Sequence, residues 1–276
     1  MEQIKENVSE PTVSGDDVLF IALELGEHIL RSGGEISRAE DTITRICKAY
    51  GALHVDVTAI LSMIVLTVDF NDTRITCTRR ITSSVSPNLN RLSKLNDLSR
   101  TVCATLPTKK EVLAKMVKIF KTSIISMPVF VIGSALAALG FAIFFSDFSQ
   151  GFALDKILAI LIDALLAGAI ATPLCILSNR LDRSRTSPIV SKFIVCFLGG
   201  VCAMLLGKVI PICHPDIIMI GNIMNFIPGV AMTNSFRDLF GGEIMSGLFR
   251  LCSVIIDAIV IATGYAVAIL VFGGAL

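Results

Sequence analysis

From Asp16 to Arg31 the apolar positions Val18, Ile21, Ala22, Leu25 and Ile29 recur at helical spacing, with Asp17, Glu24, Glu27 and Arg31 off that stripe. The pattern predicts a helix that stops at Gly33-Gly34, since glycine accepts the left-handed backbone of a helix end. A second helix follows to about Tyr50, burying Ile36, Ala39, Ile43, Ile46, Cys47 and Tyr50, and Gly51 ends it. The period then drops to two. Val55 and Val57 alternate with His54, Asp56 and Thr58; Ile60 to Phe70 is rich in β-branched residues; Ile75, Cys77, Arg79 and Ile81 alternate again. Asn71-Asp72 between the last two runs is turn chemistry. Three short antiparallel strands covered by the preceding helices are expected, then helices over about 88–105 and 108–121. The latter opens Pro107-Thr108 with Glu111 three residues on, a capping-box pattern. Its lysines 109, 110, 115, 118 and 121 make it a basic juxtamembrane helix that anchors against anionic headgroups.

Beyond residue 122 the pattern becomes apolar. Residues 123–145 and 153–177 are long enough to span, since about 20 residues cover about 30 Å of hydrocarbon. A third segment, about 189–207, carries Gly199, Ala203 and Gly207 every four residues, a face smooth enough for close helix contact. The fourth, about 216–233, is short and interrupted. The fifth, about 246–272, repeats Ala258, Ala262 and Ala266. The loop 146–152 has no Lys or Arg, whereas 178–188 holds Arg180, Arg183 and Arg185. By the positive-inside rule the first is external and the second cytoplasmic. That places the N-terminal domain inside, the Arg237 connection inside and the C-terminus outside. The expected fold is a membrane α-helical protein with five transmembrane helices, the fourth short and broken, behind an N-terminal cytoplasmic α+β domain. Residues 1–14 read as a disordered N-terminus, 15–122 as the cytoplasmic domain with its basic juxtamembrane helix, and 123–276 as the transmembrane domain.

Composition agrees: 53% of residues are hydrophobic and the mean hydropathy is +0.75. Residues 1–122 hold 16 of the 24 Lys and Arg and 15 of the 23 Asp and Glu, so neither half has the excess of positive charge expected of a nucleic-acid binder. Residues 1–17 are polar and acidic, unlike a signal peptide. The eight cysteines include no CxxC pair, and the histidines 28, 54 and 214 are isolated from one another, so no metal site or disulfide framework is expected. No phosphate-binding fingerprint and no nucleophile–base set appears, which argues against direct ATP drive, a cofactor or an enzyme.

The chemistry concentrates between Asn222 and Arg250. Pro228-Gly229 breaks the apolar segment, because proline lacks an amide donor and glycine a Cβ. In lipid a broken helix survives only where protein or a water-filled cavity satisfies the freed backbone. Asn222 and Asn225 precede the break as candidate ligands of a carboxylate or amino group, and Thr233, Asn234, Arg237 and Asp238 follow it. Asn234 reads as the N-cap of a short helix 235–240 whose positive end could face an anion. Arg237 and Asp238 read equally as a solvated pair. Asp163 and Asp257 fall near the middle of their spans, where an ionised carboxylate is expensive and marks a functional site or an interhelical hydrogen bond. Helical spacing groups Asp257 with Arg250, Ser253 and Gly264, and Asp163 with Lys156, Ala159 and Ala167. Lys192 and Arg250, near cytoplasmic span ends, are expected to snorkel.

SGGEISRAEDTITRICKAYG and IPGVAMTNSFRDLFGGEIMSGLFRL resemble the opening and the signature before the fifth span of the threonine/serine exporter family. The likeness runs from about residue 16 to 272. It implies a secondary transporter, without cofactor, in the cell membrane. Full-length exporters of this family resemble a fusion of such a five-span half with a smaller membrane half, whereas this chain stops at Leu276. It therefore resembles the larger subunit of the split version, which implies a separate small membrane subunit as partner. The split version is associated with export of small carboxylates such as succinate as well as of threonine and serine. Proton drive fits the intramembrane carboxylates, and a homo-oligomer fits equally. The competing reading is a non-transporting scaffold or sensor whose cytoplasmic domain binds a small ligand; intramembrane carboxylates and a broken span favour transport, because an anchor needs neither.

Overall fold

The computed structural model describes residues 13–71, 73–82, 87–122, 124–146, 154–184 and 186–273. Residues 1–12, most of the loop 146–152 and Leu276 lie outside it. The chain divides into two compact units, Met1–Ile124 with Val230–Leu251, and Ile125–Gly229 with Cys252–Leu276.

In the first unit, α1 (Gly15–Arg31) and α2 (Ile36–Ala49) precede the strands β1 (His54–Ile60), β2 (Met63–Phe70) and β3 (Thr73–Arg80). Ser14 accepts the Asp17 amide at 3.3 Å and so caps α1. The strands form an antiparallel meander in the order β1-β2-β3, with Val57 opposite Leu66 and Leu66 opposite Cys77. The apolar run 60–70 is not one strand: it turns at Leu61-Ser62, where Ile60 pairs with Met63. Asn71 takes a left-handed φ of 50° in the second hairpin, which asparagine tolerates. The helical stripes pack on this sheet as their periodicity predicts. Leu25, Ile29, Ile36, Ile43, Ile46, Ile64 and Leu66 are fully buried in one core, each burial contributing about 1.5–3 kcal/mol. Tyr50 is only half-buried, and its hydroxyl donates to the Pro107 carbonyl at 2.6 Å. α3 (Leu89–Thr105) and α4 (Lys109–Thr122) close the core, and the Glu111 carboxylate accepts the Thr108 amide at 2.9 Å, one arm of the capping box.

The second unit holds α5 (Met127–Phe145), α6 (Leu154–Arg183), α7 (Pro188–Val209), α8 (Pro215–Ile223) and most of α10 (Ile244–Phe272). Its core is built on small residues. Ala138, Ala142, Ala164, Ala167 and Ala203 are buried, and a Cβ on Gly221 would stand 2.6 Å from the Ala138 carbonyl oxygen. Without a hydrophobic drive between helices in lipid, such close backbone approach is what holds a bundle together. α6 runs on through Pro173 and past the expected end at 177 to Arg183.

Four helices among the described residues are long and apolar enough to cross a membrane: Met127–Phe145, Leu154–Asp182, Pro188–Val209 and Ile244–Phe272. The expected fourth span is divided between α8, of 9 residues, and α9 (Gly229–Phe240), of 12. At 1.5 Å per residue these reach about 14 and 18 Å, and neither crosses about 30 Å of hydrocarbon alone.

Candidate transport site

The break divides the expected fourth span at Met224 to Pro228. Asn225 and Phe226 still donate to the Asn222 and Ile223 carbonyls at 3.2 and 2.9 Å, and the Gly229 amide turns back onto Ile227 at 2.9 Å. α9 then starts at Gly229, not at residue 235. Asn234 is therefore in mid-helix and caps nothing. Its side-chain amide instead donates to the Gly33 carbonyl at 2.6 Å.

That carbonyl belongs to the turn ending α1. The Gly34 and Gly33 amides return to Ile29 and Leu30 at 2.9 and 3.0 Å, a Schellman closure that needs the φ of +87° at Gly33. A Cβ on Gly34 would lie 2.6 Å from Ile29 Cγ2 and 2.9 Å from its carbonyl oxygen, so the turn admits no side chain there. The tight turn leaves the Gly33 and Gly34 carbonyls and the Ile36 amide for α9 and α10 to bind. Ile36 N donates to Asp238 Oδ1 at 3.3 Å, capping α2 where Glu35, the residue at the N-cap, makes no side-chain cap. Arg250 Nη2 donates to the Gly34 carbonyl at 3.3 Å. Glu35 is ion-paired with Arg237. The connection from α9 to α10 closes the same way as α1, with Glu243 N on the Asp238 carbonyl at 2.9 Å and Gly242 at φ +92°.

Asp238 and Arg250 are buried, 2% and 5% exposed, with Asp238 Oδ2 and Arg250 Nε 3.3 Å apart. The distance makes an ion pair, but the N–H is not directed at the oxygen, and neither atom has a hydrogen-bond partner among the described residues. Burial pushes the Asp238 carboxyl above the usual carboxylate range, against the pull of Arg250 and of the Ile36 amide. The pair is not the solvated one expected: Asp238 joins Arg250, and Arg237, its neighbour in sequence, takes Glu35. Arg250 does not snorkel. Thr233 is on the exposed side of α9.

In the second unit each expected carboxylate has a basic partner. Asp163 is 2% exposed; its Oδ1 accepts the His214 backbone amide at 2.9 Å, and Oδ2 lies 2.8 Å from His214 Nδ1. It stands early in the 30-residue α6, at the α7–α8 connection, rather than at mid-span. Beside it lies a cavity of about 330 Å³ lined also by Ser146, Lys156 and Asp216. Asp257, in the middle of α10, pairs with Lys192 of α7 at 2.6 Å. Lys192 is thus turned onto a neighbouring helix rather than snorkelling. Asn222 is fully buried; its amide donates to the Ile218 carbonyl of its own helix at 2.9 Å, and its Oδ1 has no partner among the described residues. Asn225 donates to the Ser134 carbonyl of α5 at 3.2 Å.

Sequence reasoning missed His214, Lys192 and Glu35. The signal for the first two was that a buried acid needs a base, and Lys192 and His214 were bases in or beside the apolar segments. Glu35 gave no signal, since a surface glutamate before a helix is ordinary. Among the described residues no group of three or more His, Cys, Asp and Glu could hold a metal ion.

Compared with known proteins, residues 20–272 match the family model described as "Putative threonine/serine exporter". No curated protein and no solved structure matches the chain significantly.

Proposed function

Because this multi-pass membrane protein belongs to the threonine/serine exporter family, we propose that it is the larger subunit of a proton-driven exporter. Its substrates are small amino acids such as threonine and serine, or small carboxylates such as succinate. It works in the cell membrane with its N-terminal unit in the cytosol, completed by a smaller membrane subunit.

The observation that carries this reading is the Asp257–Lys192 pair, an acid and a base held 2.6 Å apart between two helices long enough to span. An ionised pair in a low-dielectric site is stable only while both charges persist. A proton arriving on Asp257 removes the carboxylate and frees the Lys192 ammonium, which can then meet a substrate carboxylate. Loss of that proton to the cytosol restores the pair. One proton taken up outside and released inside per cycle drives one substrate outward. Asp163 and His214, a carboxylate and an imidazole 2.8 Å apart, form a second candidate station.

The bonds from α9 to the Gly33 turn support the proposed topology. Asn234 and Arg250 are bonded to the Gly33–Gly34 turn, so in this topology the α9–α10 connection stays with the N-terminal unit on the cytosolic side, and the three candidate spans before it, α5, α6 and α7, need a fourth crossing to return there. The chain then recrosses between Val209 and Gly229 through the short α8 and the turn after it. That broken crossing is the fourth of five, and irregular backbone in lipid is tolerated only where protein or a cavity satisfies it.

The test is Asp257→Asn in proteoliposomes holding both subunits. The amide keeps the size and fixes the neutral state. Threonine efflux driven by a pH gradient is expected to fall at least tenfold while threonine–threonine exchange persists. Efflux with unchanged rate and pH dependence would remove Asp257 from the proton route.

A further inference from the structure

A polar cavity of about 380 Å³ opens between α2 and α3 in the N-terminal unit, lined by Glu35, Arg38, Asp41, Arg45, Asn96 and Arg100 among others. Its size is within the range of small-molecule sites, about 300–1,000 Å³. Its lining carries both signs of charge. Arg38 is 3.2 Å from Glu35, and Arg45 is 2.7 Å from Asp41. Arg100 has no acidic partner among the described residues. The wall therefore offers one guanidinium free to take a carboxylate in bidentate fashion, with acceptors for an ammonium at Asp41 and Glu35. Asn96 supplies a neutral donor and acceptor for a hydroxyl.

We propose that this cavity binds a small polar α-amino acid as its zwitterion, and that occupancy is passed to α9 through Glu35. The α-carboxylate lies on Arg100 and the α-ammonium between Asp41 and Glu35. A dicarboxylate would place its second negative charge against those two acids. Glu35 is the link because the same carboxylate is ion-paired with Arg237 of α9. A ligand ammonium competes with Arg237 for it, loosening one of the contacts that hold α9 to the Gly33–Ile36 turn. The inference rests on the exporter reading, which makes this unit the cytosolic face and an amino acid the solute it would sense.

The test is hydrogen exchange on the full chain in lipid nanodiscs, titrated separately with L-serine, succinate and inorganic phosphate, for the wild type and for Arg100→Gln and Asp41→Asn. Both side chains are at the surface, so neither change threatens the fold. L-serine is expected to slow exchange across residues 35–45 and 96–100 and to speed it across 234–238. Each variant should raise the serine concentration needed at least tenfold. Absence of any serine effect on 35–45, equal effects in the variants, or equal protection by succinate or phosphate would overturn the site. Protection of 35–45 with unchanged exchange across 234–238 would overturn the link to α9. Threonine efflux measured in parallel separates the two readings: efflux intact without cavity binding removes only this site, whereas no efflux from the complete two-subunit vesicles removes the exporter reading.

Discussion

At the scale of single residues, the molecule's unusual feature is a buried ion pair whose hydrogen bonding is incomplete. Asp238 and Arg250 lie 3.3 Å apart, each with further bonds to the Gly34–Ile36 backbone. Desolvating two charges offsets most of their attraction, so such a pair adds little net stability, yet removing one partner strands the other. Asp238→Ala is expected to cost about 3–5 kcal/mol, the cost of leaving one buried charge unpaired. Adding Arg250→Met should recover most of it. Thermal unfolding of the four members of this mutant cycle, in one detergent, checks the coupling; additive losses would mean that the two side chains act independently. The same logic applies to Asp257, whose proposed proton cycle requires Lys192 to lose and regain its partner.

At the scale of elements, the two small-residue stripes have different fates. On α7, Gly199 and Ala203 are consumed inside the unit. A Cβ on Gly199 would meet Leu174 at 2.9 Å and the Tyr265 hydroxyl at 3.1 Å, and Ala203 is fully buried. On α10, Ala258, Ala262 and Ala266 are exposed, with Ile255 and Ile259 exposed on the same helix. A stripe that lets backbones approach closely has no such neighbour among the described residues, which fits a helix of the proposed second subunit. Ala262→Phe should leave the isolated chain as stable as the wild type but abolish co-purification of the small subunit. Gly200→Leu should instead destabilise the chain itself, because a Cβ there already lies 2.6 Å from that of Ala268. Retained co-purification in Ala262→Phe would move the subunit interface to another helix.

At the scale of the whole molecule, the number of crossings decides where each end lies. Four helices among the described residues qualify as spans by length and composition, and an even count would return both ends to one side. The topology proposed above adds a further, broken crossing, because it keeps α9, bonded to the turn at Gly33, beside the N-terminal unit. A reporter active only in the cytosol is expected to be silent when fused after Leu276 and bright when fused ahead of Met1. A bright C-terminal fusion would mean four crossings, with the segment from Ile210 to Pro228 dipping into the membrane and leaving on the side it came from.

The sequence by itself determined most of the elements of this protein, though not the turn at Leu61-Ser62 or the start of α9 at Gly229. Helical stripes such as Val18–Ile29 and the alternation at Val55–Val57 are local signals, because burial on one face repeats with the backbone's own period. It determined too that charged residues within apolar segments matter, since lipid makes them costly wherever they sit. The Pro228-Gly229 break was legible for the same kind of reason, as a missing donor and a missing Cβ act on the chain where they stand. Only the tertiary structure decided the partners. Asp238 reaches Ile36 across 202 positions and Arg250 reaches Gly34 across 216, and no spacing rule encodes which acid meets which base over such a separation. It also decided that Asn234 serves a distant carbonyl rather than its own helix. A side chain capable of a cap takes whichever unsatisfied backbone group packing brings within reach.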